Sequence, residues 1–297
     1  MTLPASLQEL VAVELAKPVE PAVQAMAEAI AARYGEAARA VLFYGSCLRQ
    51  SELAGLMLDF YLIVSDYRSA YGPGWLAVAN LLIPPNVFPF EHQGLVAKYA
   101  VLSEADFARE CGPGASSTSV WARFAQPSRL VWSSDEAARG RVVASVAAAA
   151  PTLFALTLPT MATGRDDPLT VFRAGFALTY GAELRAERKQ RPEALVEADR
   201  DYYARIGAAV PAASRGAGVA AKGAAGAWRR RRVKGKALTA LRLVKASATF
   251  AGGVDYLAWK INRHAGTNIV VQPWQRRWPL VAALILLPRL LRRGAIR

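Results

Sequence analysis

The residues best suited to chemistry lie between positions 41 and 66. There Tyr44-Gly45-Ser46 ends one apolar run, and a single carboxylate, Asp59, interrupts a second. The two runs, 40–44 and 56–64, have strand composition and flank a Gly-Ser turn with a short helix-compatible segment. A glycine lets backbone approach a triphosphate, a serine hydroxyl and nearby amides cradle phosphate oxygens, and a strand-borne aspartate facing them can hold magnesium. An aspartate between Leu58 and Phe60 on a buried strand is unfavourable without a partner, and a cation is the simplest one. This is the chemistry of nucleotidyl transfer. A plain strand pair in which Asp59 caps a neighbouring turn fits the same pattern. A third apolar run, 95–102, carries Lys98, which either snorkels to a sheet edge or clamps phosphate opposite Gly45-Ser46.

The elements that must position these groups are read from periodicity. Helical spacing recurs over 5–16 and 21–34, broken by Pro18 and Pro21. Tyr71-Gly72-Pro73-Gly74 is a turn, and 75–83 reads as a helix ended by Pro84-Pro85. Helix-compatible segments follow at 103–110 and 118–125, and 128–132 is a further strand candidate. From 136 to 161 the chain is alanine-rich and helical. Asp166-Asp167-Pro168 caps a helix over 169–180, and 193–206 is helical again. The expected class is α+β: a nucleotidyltransferase-like mixed-sheet domain over 1–134, a mainly helical domain over 135–210, and an active-site cleft between them. Residues 211–237 read as a basic flexible linker, and 238–297 as a basic amphipathic membrane-binding region ending in an interfacial helix.

Composition narrows the partners. At 297 residues, 53% of them hydrophobic, the chain has ample material for a core. Two cysteines, Cys47 and Cys111, argue against a disulfide scaffold and fit a reducing compartment. Two histidines, His92 and His264, disfavour a His-rich zinc site and leave a Ser-His-Asp triad few candidates. The N-terminus has no basic segment before an apolar block, so no secretory signal is expected. The net charge of +14 is unevenly placed: residues 222–297 carry seventeen Lys or Arg against one acid, Asp255. A near-neutral body with a basic end suits a polyanionic surface, either anionic lipid or nucleic acid.

Lipid is favoured by the stretch from 229 to 297. Arg229, Arg230, Arg231 and Arg232 open the basic tail; Trp274 and Trp278 then precede a short apolar block at 279–288, followed by Arg289, Arg292 and Arg293. That block is about half of the roughly 20 residues a spanning helix needs. Tryptophans on one side and arginines at both ends mark a segment lying in the headgroup region. A core helix is the competing reading, although core helices are seldom bracketed by arginines. No alternation of exposed aromatics with bases suggests a single-strand nucleic-acid platform, so nucleic acid is the disfavoured partner.

With these residues in place, the chain resembles the mitochondrial-type CDP-diacylglycerol synthases, the family of the mitochondrial translocator assembly and maintenance protein. Tyr44-Gly45-Ser46-Cys47-Leu48-Arg49-Gln50 is similar to the family's Tyr-Gly-Ser-Gly-x-x-x-Gln, one residue shorter. Met57-Leu58-Asp59-Phe60, continuing to Val64 and Asp66, is similar to Met-x-Asp-Phe-x-x-x-Val and the acid that follows. Lys98-Tyr99-Ala100-Val101-Leu102-Ser103 is similar to Lys-Tyr-Gly-Val-x-Ser, and Ala122-Arg123-Phe124-Ala125-Gln126-Pro127 to Gly-Arg-x-x-Lys-Pro. Tyr180-Gly181-Ala182-Glu183-Leu184-Arg185 looks like Tyr-Ser-Gly-Asp-x-Arg, and 247–253 more loosely like a Thr-Ala-Gly region. The patches span about 40–255. Cys47, Ala100, Gln126 and Glu183 depart from the family residues, as a distant, bacterial member would.

The resemblance implies CMP transfer from CTP to phosphatidate, with release of pyrophosphate, by a peripheral enzyme on the cytoplasmic face of the inner (plasma) membrane. Asp59 would hold Mg2+, with Asp66 as a second ligand. Tyr44, Gly45 and Ser46 would bind the nucleotide, and Lys98 and Arg123 would stabilise the leaving pyrophosphate. Tyr180, Glu183 and Arg185 join the candidate site, the last two being equally readable as solvated charges. A nucleotidyltransferase acting on RNA or another acceptor, and a non-catalytic membrane-bound scaffold, are the alternatives.

Overall fold

A computed structural model of the chain describes residues 6–50, 52–182, 191–215, 223–249 and 270–274. Five strands form one mixed sheet in the order β3-β4-β2-β1-β5. β1 (Ala38–Tyr44) pairs antiparallel with β2 (Met57–Val64), and β5 (Ser128–Ser133) adds antiparallel to β1. β4 (Leu95–Ser103) runs parallel to β2, and β3 (Asn86–His92) closes the other edge antiparallel to β4. Four of these are the expected strands to within two residues. β3 is not among them, because Pro84-Pro85 followed by Phe88-Pro89-Phe90 reads as a break. An edge strand tolerates Pro89, since part of its backbone has no ladder partner to lose. The β3–β4 hairpin turns through Gln93 and Gly94, both at positive φ (49° and 76°), as a two-residue hairpin requires.

Period-two alternation gives the sheet two apolar faces. Val41, Phe43, Phe60, Leu62 and Val101 face α2 (Pro21–Ala32), whose Val23, Met26 and Ile30 recur at helical spacing. The opposite rows, with Leu42, Tyr61, Ile63, Ala100 and Leu102, are covered by helices. These are α1 (Leu7–Leu15), α5 (Glu104–Cys111), α6 (Trp121–Phe124), α7 (Glu136–Ala147) and α8 (Ala149–Thr157), with α9 (Pro168–Tyr180), α10 (Arg191–Ala198) and α11 (Arg200–Ala209) behind them. One hydrophobic cluster runs from Leu42 and Ile63 through Phe154 and Phe172 to Tyr203 and Trp228. Residues on both sides of 134/135 contribute to this cluster, and α7 lies beside α1 and α5 against the sheet. The segment from Glu136 to Thr160 is long and apolar enough to cross a membrane, but 56% of its most apolar window is buried.

After β2 the chain forms α3 (Tyr67–Tyr71) and α4 (Trp75–Leu82) before entering β3. The C-terminal region departs most from expectation. Within the 211–237 expected as a flexible linker, the described residues include a 3₁₀ turn (Ala212–Arg215) and the first half of α12 (Ala224–Thr249), a 26-residue helix that includes the arginine run. Clustered like charges disfavour an isolated helix, so tertiary anchors must hold it. Trp228 is 1% exposed and donates its indole N–H to the Leu156 carbonyl at 2.9 Å. Gly235 lies so close to the Ala182 carbonyl that a Cβ would overlap it. Further along, Arg242 donates to the Pro84 carbonyl (2.7 Å) and to the hydroxyls of Ser119 (2.8 Å) and Ser117 (3.4 Å). Buried Lys245 donates to the carbonyls of Ile83 and Ala79, and burial, then Arg242, pulls its pKa down to about 7.

Candidate functional site

Because β1 and β2 are antiparallel, the end of β1 meets the start of β2, and the parallel partner β4 starts beside them. The register sets Tyr44 opposite Asp59, and Asp59 beside Lys98. Alternation puts all three on the helix-covered face, one step beyond Leu42, Tyr61 and Ala100. The helical layer is thinner here: the Asp59 and Lys98 side chains keep 23% and 26% of their surface. Lys98 Nζ lies 2.8 Å from Asp59 Oδ1, an oxygen otherwise shut off from solvent. The cation expected beside the strand aspartate is, in the chain itself, this lysine.

Past Tyr44 the backbone turns through Gly45 at φ 96°, and a Cβ there would lie 3.4 Å from Asp59 Oδ2. Glycine thus serves both a left-handed backbone and a close approach to the second carboxylate oxygen. Ser46 is exposed and starts a 3₁₀ turn (Ser46–Arg49) whose Cys47 is buried, its Sγ 3.6 Å from the Met57 carbonyl oxygen. Burial, then Asp59, pushes the Cys47 thiol up, against the smaller effects of Ser46 and Lys98. Arg49 closes the turn by donating Nε and Nη2 to Asp199 Oδ2, at 2.9 and 2.5 Å, which ties it to the start of α11.

On the other side of Asp59, the Tyr44 ring packs on Tyr61 and Phe124, with centroids 5.3 and 6.0 Å away. Burial, then Asp59, pushes its phenol well above the ordinary value, while Arg123, which hydrogen-bonds it, opposes. Arg123 Nη1 also donates to the Ser119 carbonyl, and the Ser119 hydroxyl accepts from Arg242. The structure therefore brings together Tyr44, Gly45, Ser46, Asp59, Lys98 and Arg123. It adds Arg49 and Arg242, which sequence reasoning missed because their partners, Asp199 and Ser117/Ser119, are remote in the chain.

Asp66 requires a correction. It lies seven residues beyond Asp59, past the far end of β2, roughly 23 Å away at strand rise. Its carboxylate caps α3, accepting from the amides of Arg68 and Ser69 at 2.8 Å and from the Ser69 hydroxyl at 2.6 Å. Those bonds hold its carboxyl below the usual range, the Ser69 hydroxyl foremost. Asp66 is a helix cap, not a partner of Asp59. Tyr180 ends α9, half-buried against the helical core near Tyr203. Glu183, Arg185, Trp278, Arg289, Arg292 and Arg293 lie outside the described residues, whereas Trp274 is described and 43% exposed. Arg229, Arg230 and Arg232 are exposed on α12, and Arg231 sits over the Trp228 ring at 5.8 Å.

A groove of about 390 Å³ opens between α9, the turn after α8 and α12, lined by Met161, Ala174, Leu178, Gly181 and Arg232 among others; it contains no residue of the Asp59 row. Among the described residues, no three His, Cys, Asp or Glu side chains form a metal-binding group. Compared with known proteins, the chain matches no protein-family model and no curated protein.

Proposed function

We propose that the chain is a nucleotidyltransferase that moves CMP from CTP to phosphatidate, releasing pyrophosphate, as a distant member of the CDP-diacylglycerol synthase family it resembles. The observation that carries this reading is the row Tyr44–Asp59–Lys98 at the mouth of the positive-φ Gly45-Ser46 turn.

The residues fit a magnesium ion that takes most of its ligands from substrate. One Asp59 oxygen faces Lys98 and the other faces the Gly45 backbone, and a single carboxylate is a normal protein contribution when phosphates and water complete the shell. When bound, the ion neutralises charge on the transferring phosphoryl group. Gly45 allows backbone to approach the β- and γ-phosphates, and the exposed Ser46 hydroxyl donates to them. Lys98 shifts from Asp59 toward the departing pyrophosphate, with Arg123 beside it. A lipid phosphomonoester is already a nucleophile at neutral pH, so no histidine base is needed. The basic α12 keeps the site at an anionic membrane surface, on the cytoplasmic face in this reading.

Gly45→Ala tests the turn. The left-handed backbone strains alanine by about 1–3 kcal/mol, and the added Cβ crowds Asp59 Oδ2. A lower melting temperature with roughly a hundredfold loss of turnover is expected. Unchanged kinetics would take the turn out of the site.

The Asp59–Lys98 pair also favours one second reading. It is satisfied internally at 2.8 Å, as in a scaffold that keeps the surface without turnover. Pyrophosphate release with CTP, magnesium and phosphatidate in mixed micelles separates the two. Release that needs both substrates supports the transferase. Turnover only with RNA or another acceptor removes the lipid substrate, and silence from a folded protein with every acceptor supports the scaffold.

A further inference from the structure

Helix α4 is built inside out. Its sequence, Trp75-Leu76-Ala77-Val78-Ala79-Asn80-Leu81-Leu82, has no charge, and its one polar side chain is its most buried. Asn80 is fully buried: its amide donates to the Val101 carbonyl at 2.9 Å and its oxygen accepts from the Asn86 amide. Asn86 returns a bond to the Leu76 carbonyl at 3.0 Å. Meanwhile Trp75, Val78, Leu81 and Leu82 are 56%, 55%, 67% and 71% exposed. At helical spacing these four fall within an arc of about 120°, and Asn80 lies on the opposite side. A helix resting on a core in water shows the reverse arrangement. Polar anchoring inward with an apolar face outward suits an element whose outer medium is itself apolar.

What covers this face follows from its neighbour. α12 crosses the C-terminal end of α4, where Arg242 holds the Pro84 carbonyl and Lys245 those of Ala79 and Ile83. From there α12 carries exposed Arg229, Arg230, Arg232, Lys234 and Lys236, with Val233 (69%) and Leu241 (48%) also exposed. An apolar face opening with a tryptophan, beside a basic helix, is the chemistry of the boundary between acyl chains and anionic headgroups. Eight residues make about 12 Å of helix, too short to span and suited to lying in the plane. We propose that the outer face of α4 seats in an anionic lipid bilayer, with the basic side of α12 on the headgroups. The proposal deepens the lipid-transferase reading and rests on it for the choice of lipid as occupant; its test does not depend on turnover.

Cys47 and Cys111 are both buried, so Leu82→Cys in the full chain can be labelled selectively with an environment-sensitive nitrobenzoxadiazole dye. On vesicles rich in phosphatidylglycerol the dye should shift to the blue, brighten several-fold and be quenched by spin labels in the acyl chains. Neutral phosphatidylcholine vesicles should produce much less. Leu81→Glu with Leu82→Glu should weaken partition to the anionic vesicles by roughly tenfold or more, while turnover on a soluble short-chain phosphatidate stays parental. Lipid insertion without turnover on any acceptor would leave this proposal standing and remove the transferase reading. A dye that stays in water on vesicles, with parental binding by the double variant, would overturn it. So would a dimer in sedimentation velocity that the double variant splits without any vesicle insertion, since the face would then belong to a second copy.

Discussion

Asparagine at position 59 is expected to remove about a thousandfold or more of pyrophosphate release while leaving a folded protein. Asp59→Asn keeps the size and the planar end of the side chain, so the sheet register through Tyr44 and Lys98 need not move. What disappears is the only carboxylate in the row. Removing one preorganised electrostatic group from a transition state costs roughly 10²–10³ in rate, and in the proposed reaction the same charge would also hold the magnesium ion. Lys98 complicates the reading, since it loses its counter-ion at 2.8 Å in a site only a quarter exposed. Breaking one partner of a shielded pair destabilises because the other charge is left uncompensated. The double variant, Asp59→Asn with Lys98→Met, separates the two contributions. Stability should recover part of the single-variant loss, because the stranded charge is gone, whereas turnover should not recover. If instead both single variants lose stability and a shared, unaltered turnover persists, the pair is structural and the chemistry lies elsewhere.

How much of this was legible in the sequence follows from distance along the chain. Gly45-Ser46 and Asp59 were readable because both are local: a glycine where a strand ends, and a carboxylate inside an apolar run. Lys98 could be singled out as an anomaly in its strand, but its partner could not be chosen between phosphate and sheet edge. The partner the structure shows is Asp59, set beside Lys98 by the parallel register of β2 and β4, and register is not written in either strand alone. Asp66 illustrates the opposite error. Acids at 59 and 66 look like a pair on paper, yet an extended strand between them carries them to opposite ends of the sheet, where Asp66 caps a helix.

β3 and α4 were misread or under-read for related reasons. Composition reports what a segment is made of, not which medium it faces. Pro89 excludes a central strand and not an edge strand, and edge position is a property of the whole sheet. The apolar run of α4 reads as a helix, and only the burial of Asn80 shows which side faces in. The tail is the strongest example. Alanine, glycine and a block of arginines look like a linker because each residue counts against an autonomous helix. Three contacts from remote parts of the chain, at Leu156, Ala182 and Ser119, supply what local propensity lacks.

Trp228→Ala should therefore cost stability on the scale of a core truncation, about 3–5 kcal/mol, and not the near-zero effect expected for a linker residue. The indole is 1% exposed within the cluster that holds Phe154 and Phe172, and its N–H satisfies the Leu156 carbonyl. Alanine leaves a void and an unpaired acceptor together. Urea unfolding of the full chain, with hydrogen exchange followed over 224–249, distinguishes two forms of the result. A lower midpoint with uniform loss of protection would make α12 part of one cooperative unit. Loss of protection confined to α12 would make it a separately opening strap. In either form turnover should fall, because Arg242 on α12 bonds Ser119, whose carbonyl accepts from Arg123, and Arg123 bonds Tyr44 beside Asp59. The path runs entirely through hydrogen bonds, so turnover should track the population of docked helix instead of the chemistry of the row itself. A variant with α12 unprotected and turnover intact would break that link, and would return the basic helix to the role of a tether alone.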